Sequence, residues 1–432
     1  MRKMKDSGIE WIGEIPKDWE VSRIKNYLKR NEPRNPGDKI VLSLYRDLGI
    51  VPKDSRDDNH NVTSLDTSNY KYVCIGDFVI NKMKAWQGSV AVSDYEGIVS
   101  PAYYVYNFTD STFVKKYFHY LLRNCYKDEF RRLSGGIREG QWDLSSENFD
   151  TTLVIIPDKI SQTAIAAYLD RQCTHIDNII EKTKTSIEEY KKLKQAVITQ
   201  AVTKGIRGNR EMKDSGIDWI GEIPVEWEIT PFRHVLIERN EKNIPIRTEE
   251  RLSLSIDLGV TLYSEKTTNL DRFKDDFEQY KLAHEGDLVM NSMNMIVGAS
   301  GVSKYYGCVS PVYYTFYDNL PDHTTAKYCE YIFRSKTMLR VLYSLGKGIY
   351  AIVRGDDRVN TCRLKVSKED LKSLSIPNPS VDEQREIINY LDQKCSEIDA
   401  IITKKQQFIT EMENYKKSLI FECVTGKREV SV

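Results

Sequence analysis

The sequence predicts an α+β protein built twice, with two mixed α and β domains separated by two long antiparallel helices in a coiled coil, the halves related by an internal pseudo-twofold repeat. Three observations predict it. Met4–Glu20, MKDSGIEWIGEIPKDWE, returns as MKDSGIDWIGEIPVEWE at Met212–Glu228, an offset of 208 at which only Glu10/Asp218, Lys17/Val225 and Asp18/Glu226 differ. Matching strand-like and turn-like stretches follow each copy. Each half then ends in a charged stretch free of interior proline and glycine, Asp158 to about Val202 and Ser380 to about Val424.

A chain of 432 residues is long enough for two hydrophobic cores. Hydrophobic residues make up 40% and charged residues 29%, and no window approaches the roughly 18 apolar residues of a membrane span. The opening MRKMKDSG has basic residues without the apolar run of a secretory signal, so a cytoplasmic protein without a membrane partner is expected. The eight cysteines are scattered without CxxC pairs, and Cys173 and Cys395, at matching helical positions, read as buried packing residues. The six histidines show no ligand spacing, and no metal site is expected. Sixty-three basic residues balance 63 acidic ones, so overall charge makes no case for a polyanionic partner. One local run does: Lys115, Lys116, Arg123, Lys127, Arg131, Arg132 and Arg138 face only Asp128 and Glu129, which suits either phosphates or a solvated helix surface.

Taken in order, the shared motif carries Trp11, Trp19, Trp219 and Trp227. Their presence in both halves fits anchors at the ends of the helical pair better than sequence-reading side chains. Val21–Arg30 reads as a short amphipathic segment, stopped by Pro33 and Asn35-Pro36-Gly37. Leu42-Ser-Leu and Leu252-Ser-Leu begin matching β runs that continue as RDLGI and IDLGV. Ile75–Asn81 pairs with Glu285–Asn291, each a Gly-Asp turn leading into a buried strand. Gly97–Tyr104 matches Gly307–Tyr314, with its proline just after an apolar strand. Lys116–Arg123 and Lys327–Arg334 are compact helical patterns. The loops after them, SGGIREGQW from Ser134 and LGKGIYAIVRG from Leu345, diverge most. Apolar runs at Leu153–Pro157 and Leu374–Pro377 close the two domains.

Asp158 stands as an N-cap for the first long helix, and Ser380 with Glu383 forms a capping box for the second. In a heptad register, Leu169, Ile176, Thr183, Tyr190 and Val197 share a position, with Ile179 and Leu193 on another and Ile180 and Ile187 flanking. The second copy gives Leu391, Ile398, Met412 and Leu419, then Ile401, Phe408 and Tyr415, then Ile402 and Ile409, with polar breaks such as Ser186 and Lys405. Each helix spans on the order of 65 Å. The expected plan is an anchor motif at 1–20, a first domain at 21–157, a central spacer helix at 158–211, the motif copy and second domain at 212–377, and a C-terminal spacer helix at 378–432. The N-terminal motif is expected to dock beside the tail after the second helix and close the figure circularly.

No catalytic apparatus survives inspection. There is no GxxxxGK[ST] loop and no GxGxxG after a strand. Pro157-Asp158 with Glu189 and Lys191, or Pro321-Asp322 with Asp370 and Lys372, spell a PD…ExK nuclease pattern. Asp158 and Glu189, however, would lie roughly 45 Å apart on one helix, too far to share a metal. Polar side chains that can fork onto base edges do collect in the loops that differ between halves. Lys82, Lys84, Trp86 and Gln87 follow one predicted strand, beginning at Asn81, and Asn291, Ser292 and Asn294 follow its twin. Arg138 and Gln141, and Lys347, Tyr350 and Arg354, stand in the later loops. Ordinary polar turns are the competing reading for each residue.

These residues resemble the DNA-specificity subunits of type I restriction-modification systems. The resemblance covers essentially the whole chain. It rests on DSGIEWIGEIPKDWE and DSGIDWIGEIPVEWE, on GDFVI and GDLVM, and on VSPAYY and VSPVYY. It rests also on Ile156-Pro157, Gln162, Tyr168-Leu169-Asp170 and Ile176-Asp177, repeated as Ile376-Pro377, Gln384, Tyr390-Leu391-Asp392 and Ile398-Asp399. The first copy departs mildly, since DKISQTAIAAYLD lacks the acidic residue that Glu383 places before Gln384. The resemblance implies two target-recognition domains, each reading one half of a bipartite, asymmetric site in double-stranded DNA, with the helix pair fixing their separation. It implies assembly with methyltransferase (modification) subunits, two of them, that use S-adenosylmethionine on adenine, and with restriction subunits that use ATP and Mg for translocation and cleavage. This chain would bind no cofactor and supply no catalysis. The alternative is a coiled-coil adaptor that binds protein and not DNA, which zero net charge would suit.

Overall fold

The computed structural model describes residues 2–45, 48–55, 63, 66–109, 113–136, 142–256, 258–266, 276–349, 352–353, 359–360 and 363–430. The chain divides into two compact units, Met1–Thr183 with Gln406–Val432, and Lys184–Lys405. Among the described residues no helix is long and apolar enough to cross a membrane.

The first unit is organised around a four-stranded antiparallel sheet of β1 (Leu28–Arg30), β2 (Phe78–Asn81), β3 (Val90–Val92) and β4 (Tyr103–Phe108), in the order β1-β4-β2-β3. Every residue of β2 is buried because both of its faces are covered. Phe78 and Ile80 join the main core with α1 (Lys115–Cys125) and α2 (Lys127–Leu133), while Val79 joins a smaller core with Leu42, Leu44 and Val105. The turn into β2 needs the glycine: Gly76 has φ +88°, and the Asp77 carboxylate accepts from the Cys74 amide at 2.8 Å. Leu153–Ile156 pairs with Glu20–Arg23, and the chain then enters α3 (Lys159–Lys204).

The second unit repeats the plan with β5 (Ile237–Glu238), β6 (Leu288–Asn291), β7 (Ser300–Val302) and β8 (Tyr313–Tyr317), in the order β5-β8-β6-β7. Helices α4 (Thr324–Arg334) and α5 (Lys336–Leu345) cover it. Gly286, at φ +85°, and Asp287 form the equivalent turn, and Arg239 forks onto the buried Asp287 carboxylate at 2.6 and 3.0 Å. Ser375–Asn378 pairs with Glu228–Pro231 before the chain enters α6 (Val381–Val424).

With 46 and 44 residues, α3 and α6 extend about 69 and 66 Å at 1.5 Å per residue. Asp158 caps α3 by accepting from the Ile160 and Ser161 amides, both at 2.9 Å. Ser380 caps α6 through the Glu383 amide at 3.4 Å, but the capping box is only half formed. The Glu383 carboxylate is held instead in a buried pair with Arg210, a stronger competitor than the amide of an uncharged cap. Within the first unit the two helix segments run antiparallel. Lys416 pairs with Asp177 at 2.6 Å, and Cys423, farther along α6, lies near Cys173, farther back on α3. The second unit shows the same sense through Arg207–Glu386 at 2.7 Å, Lys194–Asp399 at 2.6 Å and Lys405 over the Tyr190 ring. Ile176 and Ile180 are buried in the first unit, as are Ile187, Leu391 and Ile398 in the second, and Cys173 and Cys395 pack in the respective cores. Leu193, Phe408 and Tyr415, assigned by heptad register to the seam, are 48%, 41% and 48% exposed. Two helices cover only a narrow stripe of each other, so positions beside that stripe stay in water.

The ends of the long helices explain the repeated motif. Gly205 after α3 and Gly426 after α6 are left-handed, at φ +74° and +73°. Against Gly205 lies Trp227, and against Gly426 lie Pro16 and Trp19. A buried tyrosine hydroxyl then donates to a last-turn carbonyl: Tyr328 to Val202 at 3.2 Å, and Tyr117 to Val424 at 2.9 Å. Within the first unit, therefore, the N-terminal motif does dock beside the C-terminal tail. We expect Gly426→Ala to lower the urea midpoint by a shift equivalent to more than about 1 kcal/mol of unfolding free energy, from the left-handed backbone, made worse by a Cβ that would lie 2.5 Å from Pro16. Tyr117→Phe should cost roughly 1–3 kcal/mol by leaving a buried carbonyl without its donor. Equal midpoints for variants and parent would refute this account of the helix end.

Candidate nucleic-acid interface

In the first unit β2 ends at Asn81, whose side-chain oxygen accepts from the Met83 amide at 3.2 Å and so shapes the turn that follows. Lys82 and the exposed Lys84 occupy that turn, and Trp86 and Gln87 lie in the short 3-10 segment Ala85–Gln87. The turn is tied to the chain after the divergent loop. Lys82 pairs with Asp143 at 2.8 Å, and the Leu144 amide donates to the Lys82 carbonyl at 3.0 Å. The hydrogen bond to Asp143 raises the Lys82 pKa above its ordinary value, so this ammonium stays charged. Trp86 packs near Trp142 with ring centroids 5.8 Å apart, and the Arg131 guanidinium lies over both rings. The structure thus brings two loops that are distant in sequence onto one surface. Arg138 and Gln141 lie outside the described residues.

The second unit keeps the backbone plan and changes the side chains. Asn291 is buried and its side-chain oxygen accepts from the Met293 amide at 3.0 Å, so the structure uses it to shape the turn, and only Asn294 points outward from that pair. Ser292 replaces Lys82, and its carbonyl accepts from the Val366 amide at 3.0 Å, as Lys82 does from Leu144. Lys347 is exposed and pairs with Asp370 at 3.0 Å, and a hydrogen bond from Ser367, with Lys347 adding to it, holds Asp370 below its usual range. Tyr350 and Arg354 lie outside the described residues.

Cations that sequence reading missed border both turns. In the first unit Arg30 and Lys71 share Glu32, at 2.8 and 3.0 Å, and both lie over the Tyr104 ring. Burial pushes Glu32 up, but its hydrogen bonds from Arg30 and Lys71 outweigh that and hold it ionised. Burial lowers the Lys71 pKa despite Glu32. In the second unit Glu238 pairs with Lys368, at 2.6 Å, and with Lys372. Burial and the nearby Lys368 lower the pKa of Lys281 there. The signal was present, since Tyr70-Lys71 recurs as Tyr280-Lys281, but the carboxylate partners are remote in sequence. The basic run of α1 and α2 divides, with Arg131 over the Trp86 and Trp142 rings of the candidate turn and other members engaged elsewhere. Lys116 pairs with Asp170, Arg132 with Glu129, and Lys127 lies against Gly88.

Residues 16–189 match the family model described as the type I restriction modification DNA specificity domain. The protein described as the specificity subunit of the type I restriction enzyme MjaX of Methanocaldococcus jannaschii is 22% identical over 97% of this chain and 96% of its own. The MjaVIII specificity subunit of the same organism is 22% identical over 96% and 94%. Over residues 16–189 the chain carries this DNA specificity domain, and over nearly its whole length it is similar to specificity subunits of type I restriction enzymes. Two solved structures share the fold of this chain. One, from work on complex assembly and conformational transition of a type I system, gives TM-score 0.68 at 14% identity over 96% of this chain and 99% of that one. The other, the HsdS subunit of Thermoanaerobacter tengcongensis, gives TM-score 0.53 at 14% identity over 96% and 98%.

A part-buried bracket holds each turn-bearing sheet to its helix. His119 Nδ1 accepts from the Val92 amide at 3.2 Å, and Glu330, its counterpart, accepts from the Val302 amide at 3.0 Å. One helical turn on, Arg123 reaches the Tyr45 carbonyl at 3.4 Å and Arg334 the Ile256 carbonyl at 2.7 Å. Burial lowers the His119 pKa to about 4, with Arg123 and Lys116 adding to the effect and Asp170 opposing it. Burial raises that of Glu330. The signs are opposite. A histidine kept neutral in the fold gives stability that is full above its unfolded pKa of roughly 6.5 and is lost as pH falls toward about 4. A glutamic acid with a raised pKa is favoured on the acid side. We therefore expect the first unit to lose about 2 kcal/mol between pH 7 and pH 5, the first 1.5 pH units of that window. Urea unfolding of His119→Gln, which can still accept from Val92, should show a much smaller loss, and an equal loss in both proteins would rule out His119 as the source.

Proposed function

We propose that this chain reads double-stranded DNA for a type I restriction-modification complex, each unit recognising one half of a bipartite, asymmetric site. The observation that carries the proposal is the pairing of a retained backbone with altered side chains. The Leu144–Lys82 and Val366–Ser292 backbone bonds fix the same surface twice, while the turn reads Lys-Met-Lys-Ala-Trp-Gln in one unit and Ser-Met-Asn-Met-Ile-Val in the other. Lys82, Lys84, Trp86 and Gln87, with Asn294 and Lys347, are proposed to face the bases or the phosphates beside them. Arg138, Gln141, Tyr350 and Arg354 belong to the same loops by sequence. Asn291 supports the turn from beneath. Arg30, Lys71, Lys281 and Lys368 would follow the phosphate backbone.

In this reading the chain is non-catalytic and works in the cytoplasm. Methyl transfer belongs to two modification subunits holding S-adenosylmethionine, and translocation and cleavage to restriction subunits holding ATP and Mg, all assembled on this scaffold. A protein-only adaptor is distinguished by salt. With the methyltransferase partner present, log Kobs for a duplex carrying the site should fall linearly with log salt concentration, because neutralised phosphates release counterions. An adaptor gives no binding and no slope. Exchanging Leu42–Leu153 for the same block of another family member should change one half-site in methylation mapping, and a change in both, or in neither, would count against two independent readers.

A further inference from the structure

We infer that the second unit recognises its half-site through the 5-methyl groups of thymine, by an apolar tip bordered with lysines. The inference rests on the DNA-reading role proposed above. Four large apolar side chains stand in water at this tip: Ile256 is 46% exposed, Leu258 77%, Met293 43% and Val297 50%. They belong to two adjoining turns. A Cβ on Gly298, next to Val297, would lie 3.9 Å from Ile256 Cγ2, and Arg334 holds the Ile256 carbonyl at 2.7 Å. The first unit has Leu48 and Met83 exposed at matching positions, but Gln87 stands where the second has Val297, Lys84 where it has Asn294, and Lys82 where it has Ser292.

Apolar side chains offer nothing to phosphates or to base acceptors. The one apolar group that a base pair presents in the major groove is the thymine methyl, and contact with it is worth roughly what burying one methylene is worth. What surrounds the tip selects a polyanion as its partner. Ser292, adjoining Met293, bonds the Val366 amide, and Lys365 and Lys368 flank Val366 in sequence. Lys368 also lies over the Tyr314 ring, whose hydroxyl donates to the Val366 carbonyl at 3.1 Å. Lys281 lies within reach of the charges of Lys365 and Lys368, and Lys372 joins Lys368 on Glu238. An apolar contact with ammonium groups along its Ser292 side matches thymine methyls on a groove floor beside a phosphate strand.

The test uses the full chain assembled with its methyltransferase partner and duplexes carrying the mapped site. The half-site left unchanged by exchanging Leu42–Leu153 is the one assigned to the second unit. Replacing thymidine by deoxyuridine in that half-site alone should weaken binding by about fourfold for each methyl contacted. The same replacement in the other half-site should have a smaller effect. Val297→Gln with Met293→Ser, both on exposed positions that carry little folding risk, should bind more weakly and lose most of the discrimination between thymidine and deoxyuridine. Equal binding of the two duplexes, a second half-site without thymine, or discrimination undiminished in the double variant would each overturn the inference. A complex that shows no site-specific binding at all would instead overturn the DNA-reading role beneath it.

Discussion

The terminal turn of each long helix is the constraint on which the rest depends. A helix leaves its last carbonyls without partners, which is harmless in water and costly in a core. Here the last turns are inside, with Val202 and Val424 fully buried. A left-handed glycine, a tryptophan packed against it and a tyrosine hydroxyl aimed at the carbonyl close each one. Pro16 and Trp19, packed on the glycine that ends α6, come from the start of the chain. The first unit is therefore assembled from both chain ends, and the motif is repeated because the same problem is solved twice.

Above those ends, geometry is retained where chemistry is not. Position 119 is histidine and position 330 glutamate, yet each presents one acceptor to the edge amide of its sheet. The Gly-Asp turns likewise keep the carboxylate on the amide of Cys74 or His284, but Asn107 supports one and Arg239 the other. A buried amide needs an acceptor and is indifferent to which side chain provides it. Such positions diverge between halves without moving the strands they hold.

Much of this was legible in the sequence. The repeat, the buried strands after Gly-Asp, the caps at Asp158 and Ser380 and the extent of both long helices follow from local pattern, and of the four repeated tryptophans Trp19 and Trp227 lie at the helix ends as anchors. What escaped was set by partners remote in the chain. Heptad counting placed Leu193, Phe408 and Tyr415 in a seam too narrow to cover them. Glu383 looked like a capping-box acid until Arg210 claimed it. The cation clusters depend on Glu32, which Arg30 and Lys71 share, and on Glu238, where the two lysines come 130 and 134 residues later. Asn81 and Asn291 have the side chain of a base reader, but an asparagine at a strand end competes for its own backbone, and there the turn prevailed. Arg138, Gln141, Tyr350 and Arg354 belong to the segments that lie outside the described residues.

The same energetics let two readers diverge on one frame. Breaking a buried ion pair such as Arg239–Asp287 or Arg210–Glu383 by removing one partner costs about 3–5 kcal/mol, a large share of a domain's stability. Substitution on an exposed turn usually changes stability by less than about 0.5 kcal/mol. Backbone bonds from Leu144 and Val366 hold the turns in place whatever side chains they carry. Lys82, Trp86 and Gln87 can therefore become Ser292, Ile296 and Val297 with the scaffold intact, and a charged, aromatic surface becomes an apolar one. Stability is concentrated in contacts the halves must share, which leaves chemistry free to differ where the halves meet their partner.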